Sequence, residues 1–220
     1  MEGTLPVREG PFWPEVRHLA WTFLAAAFVG ERLEVLYIWC ATGVVMSRSS
    51  LLYGPFSLVW GLGAALVTLC LWPFRRRGPW MLLLVGGALG AGFEYVASAV
   101  GELLFHKIFW DYSHMPFHLE GRTNLLFAVL WGLGAALWVL RGFPALTALT
   151  DRLPPRVERR FLWASALLLA ADTALSAAAM LRMEERRLGL PAANAVEAAL
   201  DRWYPDQVLH RRYQNLMDPR

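Results

Sequence analysis

The chain has 220 residues, of which 56% are hydrophobic and 18% charged, and its mean hydropathy is +0.37. The charged fraction is low and the apolar residues lie in long blocks, which excludes an ordinary water-soluble globular domain. The net charge of +3 comes from arginine clusters beside apolar blocks, so no nucleic-acid-binding surface is predicted. We therefore expect an integral membrane protein whose first partner is the lipid bilayer.

Apolar segments that are long enough to cross a bilayer recur along the chain. A transmembrane helix needs roughly 20 predominantly apolar residues. The candidate spans are residues 19–45, 56–74, 80–105, 125–140 and 161–181. This pattern predicts an all-α, polytopic membrane helix bundle with about five transmembrane helices.

The composition divides the chain into three regions. Residues 1–17 are expected to form a cytoplasmic N-terminal segment, residues 18–181 the transmembrane domain, and residues 182–220 a soluble or interfacial tail. Residues 142–160 are basic, amphipathic and interrupted by prolines, which is typical of an interfacial helix on anionic lipid. A docking surface for a cytoplasmic partner is the alternative for this segment.

Arginine and lysine are distributed unevenly between the predicted loops. The connections on the N-terminal side contain the arginines of residues 75–77 and 141–160, whereas the opposite side has few basic residues before the tail. By the positive-inside rule, we expect a multi-pass membrane protein with a cytoplasmic N-terminus. Five spans would place the tail outside, although the arginines at its start oppose that orientation.

A seven-residue string, Trp-Gly-Leu-Gly-Ala-Ala-Leu, occurs at residues 60–66 and again at residues 131–137. Upstream of each copy, an apolar helix carries a glycine four residues before a glutamate. These pairs are Gly30 with Glu34, and Gly90 with Glu94. The first four spans therefore resemble two copies of one hairpin, related by an axis along the membrane normal. Coincidence among small residues that membrane helices favour is the alternative.

Acidic residues inside the apolar spans are the main functional clue. A carboxylate at membrane depth costs roughly 2.5–3.5 kcal/mol on insertion scales, so it generally faces the bundle interior and has a partner. The embedded acids are Glu34, Glu94, Glu102 and Asp172. Asp172 is expected to pair with an arginine such as Arg32 or to form a hydrogen bond across helices.

The loop before the fourth span is too aromatic for a free linker and is expected to fold back onto the bundle mouth. Arg122 at its end is the natural cationic partner for Glu94, Glu102 or Asp111, because a bidentate pair keeps both groups charged. Tyr53 in the equivalent first loop either joins an interfacial belt or contacts this centre. The candidate substrate-binding site or ion-pair network comprises Glu34, Glu94, Glu102, Asp111, Arg122 and Tyr53.

Three roles stay open for this cluster: an ion network that fixes helix register, a substrate or ion site, and an acid/base catalytic site. The chain has no P-loop and no evident pairing of nucleophile and base, so the sequence leans away from an enzyme and assigns no catalytic residue. Secondary candidates are Asp172, His114 and His118. Pro116 opposes the regular helix that would align the two histidines on a metal, so neither a metal nor a cofactor is predicted.

These motifs resemble a bacterial membrane-protein family of ABC-transporter permeases, type IV, also called CmpB-like. The matching motifs include Leu52-Tyr53-Gly54-Pro55-Phe56, Phe93-Glu94-Tyr95 and Trp110-Asp111-Tyr112-Ser113. The resemblance implies a permease-like subunit of a transport system in the bacterial inner membrane, with a separate cytoplasmic ATPase as partner. A homo-oligomer is also open. The rival functions are a membrane-embedded enzyme acting on a lipid or lipid-linked substrate, and a structural or assembly subunit.

Overall fold

The computed structural model describes residues 14–218, so most of the segment predicted for residues 1–17 lies outside the described part. The helices are α1 (Val16–Thr42), α2 (Leu58–Leu71), α3 (Pro79–Phe105), α4 (Leu125–Leu137), α5 (Phe143–Thr150), α6 (Pro155–Arg187), α7 (Ala195–Trp203) and α8 (Asp206–Arg212). Two short strands, β1 (His118–Leu119) and β2 (Thr123–Asn124), pair antiparallel, with His118 opposite Asn124. The prediction of an all-α membrane helix bundle is confirmed.

Within the described residues, three helical segments are long and apolar enough to cross a membrane. They are Pro79–Phe105, Leu125–Thr150 and Pro155–Arg187. The Leu58–Phe74 segment is apolar but shorter, and α1 carries Glu31, Arg32 and Glu34 in its second half. Neither helix of the first hairpin is thus both long and apolar enough to count as a candidate span. The total of five spans stays a prediction.

The fourth helix continues past the expected end at residue 140. A π-helical turn, Trp138–Gly142, joins α4 to α5, and the helical segment reaches Thr150. Pro144 lies in the first turn of α5. The wider π-helical turn gives room for the proline ring, and a proline near a helix start does not break the hydrogen-bond ladder. Residues 143–150 are thus helical and continuous with α4.

The two predicted hairpins, α1 with α2 and α3 with α4, pack through the same contact. A Cβ atom added at Gly30 would overlap the Trp60 ring, and one added at Gly90 would overlap the Trp131 ring. The two tryptophan rings stack on each other with centroids 5.4 Å apart. Each hairpin therefore seats its own tryptophan against a glycine, and the tryptophans meet where the hairpins join. This arrangement is consistent with the predicted duplication.

Two clusters of buried apolar side chains lie at opposite ends of α3. The first contains Val67, Leu71, Trp72, Leu82, Ala135, Val139 and Phe143. The second contains Ala179, Met180, Met183, Leu200, Leu209 and Tyr213, with Phe105 and Phe109 packed against it. His18, near the start of α1, meets Phe143 of the first cluster. Because the tail packs in the second cluster, it lies at the end of the bundle away from the start of α1.

Ion pairs fix the tail to the end of α6. Arg182 lies 2.9 Å from Asp201, and Arg186 lies 2.6 Å from both Asp201 and Asp206. Arg187 pairs with Glu184 at 2.5 Å. The positive charges of these three arginines argued against a tail outside the membrane. They are balanced by acidic residues of α6 and of the tail itself.

Two glycines of α4 provide a matched test of helix packing. A Cβ at Gly132 would overlap the Leu83 carbonyl oxygen of α3, whereas a Cβ at Gly134 meets no atom within 4 Å. Gly132→Ala should lower the free energy of unfolding by about 1–3 kcal/mol through overpacking. Gly134→Ala should be neutral or stabilise by up to about 1 kcal/mol, because alanine favours helix. Thermal unfolding in detergent measures both, and equal stability of the two variants would contradict this packing.

The attachment of α7 to α6 should depend on pH. Hydrogen bonds from Arg182 and Arg186 lower the pKa of Asp201 to about 2. Because the unfolded pKa is about 3.9, the stabilisation is complete above that value and is lost as pH falls towards 2. Asp201→Asn should therefore speed amide exchange in α7 at pH 7 on the order of tenfold. Arg202→Gln, on the same helix, should leave exchange unchanged; protection retained in Asp201→Asn would refute the ion-pair anchor.

Candidate functional site

Glu94 lies on α3 and is only 6% exposed. The Tyr112 hydroxyl donates to Oε1 at 2.9 Å, and the Thr123 hydroxyl donates to Oε2 at 3.0 Å. Both donors come from the aromatic loop, residues 106–124, which folds back onto the bundle as predicted. Among the described residues the donors to this carboxylate are hydroxyl groups, and none is a cation.

The fold of the aromatic loop depends on Asp111 and Gly121. The Asp111 carboxylate accepts from the backbone N–H of Ser113 at 2.9 Å and from its hydroxyl at 3.1 Å. Gly121 has φ +69°, and a Cβ there would lie 2.6 Å from Asp111 Oδ1. The Tyr112 N–H donates to the Gly121 carbonyl at 2.8 Å. Asp111 therefore shapes the turn that aims Tyr112 at the bundle.

Arg122 forms its ion pair with Glu102. Its Nη2 atom donates to Glu102 Oε2 at 2.5 Å, and Nη1 donates to Ser98 Oγ at 3.2 Å. Its Nε atom lies 3.7 Å from a carboxylate oxygen of Glu120, and the guanidinium lies 5.8 Å from the centroid of the Tyr95 ring. Of the three partners open to Arg122, the structure selects Glu102. Glu94 lies one helical turn before Ser98 on the same side of α3.

In the first hairpin, the equivalent glutamate has a cationic neighbour. Arg48 Nε lies 3.4 Å from Glu34 Oε2. Glu31, one turn earlier, is fully buried, pairs with Arg32 and accepts from the Arg48 N–H at 3.3 Å. Glu34 and Glu94 thus occupy equivalent positions with different electrostatic surroundings.

Aromatic rings fill the space between the hairpins near these carboxylates. Tyr112 stacks on Phe127 with ring centroids 4.6 Å apart, and Tyr37 of α1 meets Phe127 edge-on at 6.4 Å. The stacked pair of Trp60 and Trp131 continues the same seam. The group that holds Glu94 therefore also takes part in the contact between the hairpins.

The remaining predicted residues lie away from Glu94. The Tyr53 hydroxyl is 2.8 Å from the Tyr204 hydroxyl, and the Tyr53 N–H donates to Asp172 at 3.2 Å. Asp172 also accepts from Ser176, one turn further along α6, at 3.2 Å. Asp172 thus bonds to the first loop and to its own helix rather than to another helix, and Arg32 pairs with Glu31 instead. His118 Nδ1 accepts from the Gly121 N–H at 3.1 Å, and His114 is exposed. Within residues 14–218, no three acids, histidines or cysteines are grouped as metal ligands.

Four residues at the two carboxylates were not among the predicted site residues: Glu31, Arg48, Tyr112 and Thr123. Glu31 is a fifth acid in an apolar span, and its position one turn before Glu34 is a signal that the sequence does carry. Arg48 was counted among the basic residues of the loops but was not predicted to contact a carboxylate. Tyr112 and Thr123 have no comparable signal, since their approach to Glu94 depends on the turn at Asp111.

A protein family described as "Putative ABC-transporter type IV" matches residues 21–177, well over half of the chain. The chain belongs to this family. The family resemblance carried by the sequence motifs is thereby confirmed, and the chain is a membrane protein related to ABC transport. A search of curated proteins and a search of solved structures each give no match.

The matched residues of this ABC-transporter family chain include both hairpins and both carboxylate positions, and they end within α6, before the tail. Within them, Glu102 is balanced by Arg122 and Glu34 faces Arg48. A carboxylate that is removed from water and faces only hydroxyl groups is stabilised by taking up a proton or a cation. Glu94 is the acid that meets this description.

Tyr112→Phe tests the hydrogen bond to Glu94. The change keeps the ring on Phe127 but leaves the buried carboxylate one donor short, which should lower the free energy of unfolding by about 1–3 kcal/mol. Tyr37→Phe is the matched control, because Tyr37 also packs on Phe127 while its side chain is 56% exposed. Chemical unfolding in detergent measures both. Equal stability of the two variants would show that the hydroxyl of Tyr112 does not support Glu94.

Proposed function

We propose that this chain is the permease-like, membrane-embedded subunit of an ABC-type transport system and that Glu94 holds its cargo or a coupling cation. The observation that carries the proposal is the nearly buried Glu94 carboxylate, whose hydrogen-bond donors are the hydroxyls of Tyr112 and Thr123. A structural ion pair would place a cation at this position. The hydroxyl donors instead leave a negative charge to be neutralised by a ligand.

The other charged groups around Glu94 support this assignment by being satisfied among themselves. Arg122 bonds to both Glu102 and Ser98, which fixes the end of the aromatic loop on α3. If the two hairpins are equivalent, the charge of Glu34 is balanced by Arg48, whereas the charge of Glu94 at the equivalent position is not balanced by any cationic side chain that the structure describes. The asymmetry gives a site on one hairpin and a structural ion pair on the other.

A cytoplasmic ATPase subunit is the proposed partner. At the end of the bundle away from the tail, the turn into α6 exposes a group of arginines, namely Arg152, Arg156, Arg159 and Arg160. Two acids lie beside them: Asp151 is held by Arg17 and His18, and the buried Glu158 is held by Arg17 and Trp21. The exposed arginines therefore keep their positive charge for a partner or for anionic lipid, with this end placed at the cytoplasmic face of a bacterial inner membrane.

The partner is tested by purifying the tagged chain from its own membrane in a mild detergent. We expect a nucleotide-binding subunit to co-purify and the complex to hydrolyse ATP. Changing Arg156, Arg159 and Arg160 to glutamine should release that subunit, whereas Arg202→Gln in the tail should keep it. Purification of a monodisperse chain without a nucleotide-binding partner would contradict the transport assignment.

The role of Glu94 is tested in the same complex. Glu94→Gln keeps the size of the side chain, removes the charge and replaces one acceptor oxygen with an amide donor, from which a hydroxyl group can accept after rotating. Assembly should therefore persist while ATP turnover falls on the order of tenfold. Glu185→Gln is the control, since Glu185 pairs with Arg182 near the tail at 2.9 Å. Loss of stability with unchanged turnover would instead identify Glu94 as part of a structural subunit.

A membrane-embedded enzyme acting on a lipid-linked substrate is the second candidate, and one observation favours it. A shallow groove of about 320 Å³ opens beside the hydroxyl donor of Glu94; its lining is Ala91, Phe117, Leu119, Thr123, Asn124, Leu125 and Ala128. An apolar chain in this groove would bring a polar headgroup close to Thr123. Lipid mass spectrometry of the chain in nanodiscs distinguishes the two functions, because only the enzyme should convert a membrane lipid without ATP.

A further inference from the structure

The tail has two halves that contact different parts of the bundle. The first half, α7, is fixed to α6 through Asp201, which both Arg182 and Arg186 hold. The second half, residues 206–218, follows the break at Pro205 and lies over the loops that connect the helices of each hairpin. The two halves are separated by the non-helical residues Tyr204 and Pro205. The Arg186–Asp206 ion pair holds the start of the second half on α6, so the part beyond Asp206 can move while the first half stays attached.

The second half of the tail bonds to the loop of the first hairpin. Arg212 donates from Nε to the Leu51 carbonyl at 2.7 Å and from Nη2 to the Gly54 carbonyl at 2.5 Å. The Ser47 N–H donates to the Gln214 side chain at 3.1 Å. One guanidinium therefore closes over the turn that leads into α2.

The same segment bonds to the loop of the second hairpin. Ile108 and Met217 form an antiparallel bridge, with N–H···O distances of 2.8 and 2.9 Å. The Asn215 amide donates to the Phe109 carbonyl at 2.9 Å, and Lys107, which is 6% exposed, pairs with Asp218. The segment thus reaches both hairpins within a few residues.

We propose that residues 206–218 are a releasable strap that holds the tail-side ends of the two hairpins together and so controls access to Glu94. The argument is geometric: each loop belongs to a different hairpin, and the hairpins cannot separate at this end while one segment is bonded to both. The control of Glu94 rests on the proposed function, because Tyr112, which covers Glu94, belongs to the second of these loops. The holding action itself does not depend on transport.

Two buried side chains anchor the strap, and one polar atom among them lacks a hydrogen bond within the described part of the chain. Leu209 is fully buried and Tyr213 is 2% exposed, both against the cluster at the end of α6. The Tyr213 hydroxyl is buried, and no hydrogen-bond partner for it occurs within residues 14–218. A polar atom left in this state favours release relative to a fully bonded anchor. The remaining contacts are hydrogen bonds and two ion pairs, Lys107 with Asp218 and Arg186 with Asp206.

A distance measurement across the two loops tests the strap. Cys40 and Cys70 are first replaced by serine, and spin labels are attached through cysteines introduced at Val45 and His114, both of which are exposed. In the labelled parent protein in nanodiscs, pulsed electron–electron double resonance should give one short distance between the two labels. Arg212→Gln should add a longer distance, and Asn215→Ala should add it independently through the other loop. Arg202→Gln should leave the parent distribution unchanged.

A covalent lock completes the test. Ile108 and Met217 face each other as a hydrogen-bonded antiparallel pair, where Cα atoms lie about 5.5 Å apart, within the range that a disulfide spans. Cysteines at these two positions are combined with Asn215→Ala, which breaks the contact with the same loop, and with triarylmethyl labels attached by a cysteine-free chemistry. Oxidation should remove the longer distance, because the disulfide replaces the lost contact with the second loop, and reduction should restore it. An unchanged distribution in both Arg212→Gln and Asn215→Ala, or a longer distance that persists in the oxidised lock, would overturn the strap. Since the readout is a distance, these outcomes are independent of whether Glu94 handles cargo.

Discussion

The hydrocarbon core of a bilayer offers no hydrogen-bond donors, so a carboxylate placed there must find them in the protein. Glu94 finds two hydroxyls, and both lie in the loop that follows its own helix. That requirement draws the loop inward, and the fold of the loop then brings Arg122 to Glu102 and Ser98. The aromatic seam between the hairpins follows from the same inward position of Tyr112. Much of the tail-side half of the molecule therefore depends on one desolvated carboxylate.

The other half depends on close helix packing, which membrane helices achieve through small residues rather than through water exclusion. Gly30 and Gly90 each accommodate a tryptophan of the returning helix, and Gly132 lies against the Leu83 backbone. These contacts leave no room for a side chain, so the hairpins are rigid units. The hairpins meet at the stacked tryptophan rings and in the first apolar cluster, where Val67 and Leu71 of α2 pack with Leu82 of α3.

The sequence predicts the helices well, because the apolar blocks and the glycine–glutamate spacing are local signals. It also identifies Glu94 and Arg122 as site candidates from the energetic cost of charge in lipid. It does not specify which acid Arg122 pairs with, because that choice depends on the turn formed by Asp111 and the positive φ of Gly121.

The tail contacts escape sequence analysis for a different reason. Arg212 donates to backbone carbonyls. Every residue has a backbone carbonyl, so the sequence of the loop does not show which residues accept these bonds. The continuation of α4 through Pro144 was likewise hidden, since a π-helical turn is not visible as a sequence period.

The length of α6 has a consequence for the height of the tail. Its 33 residues extend about 50 Å at a rise of 1.5 Å per residue, well beyond a hydrocarbon core of roughly 30 Å. The excess must be taken up by tilt or by projection past the headgroups. Leu188, Val196 and Trp203 are 62%, 69% and 66% exposed at this end. A thicker or thinner bilayer would therefore change either the tilt of α6 or the length of α6 that projects at the end carrying these side chains.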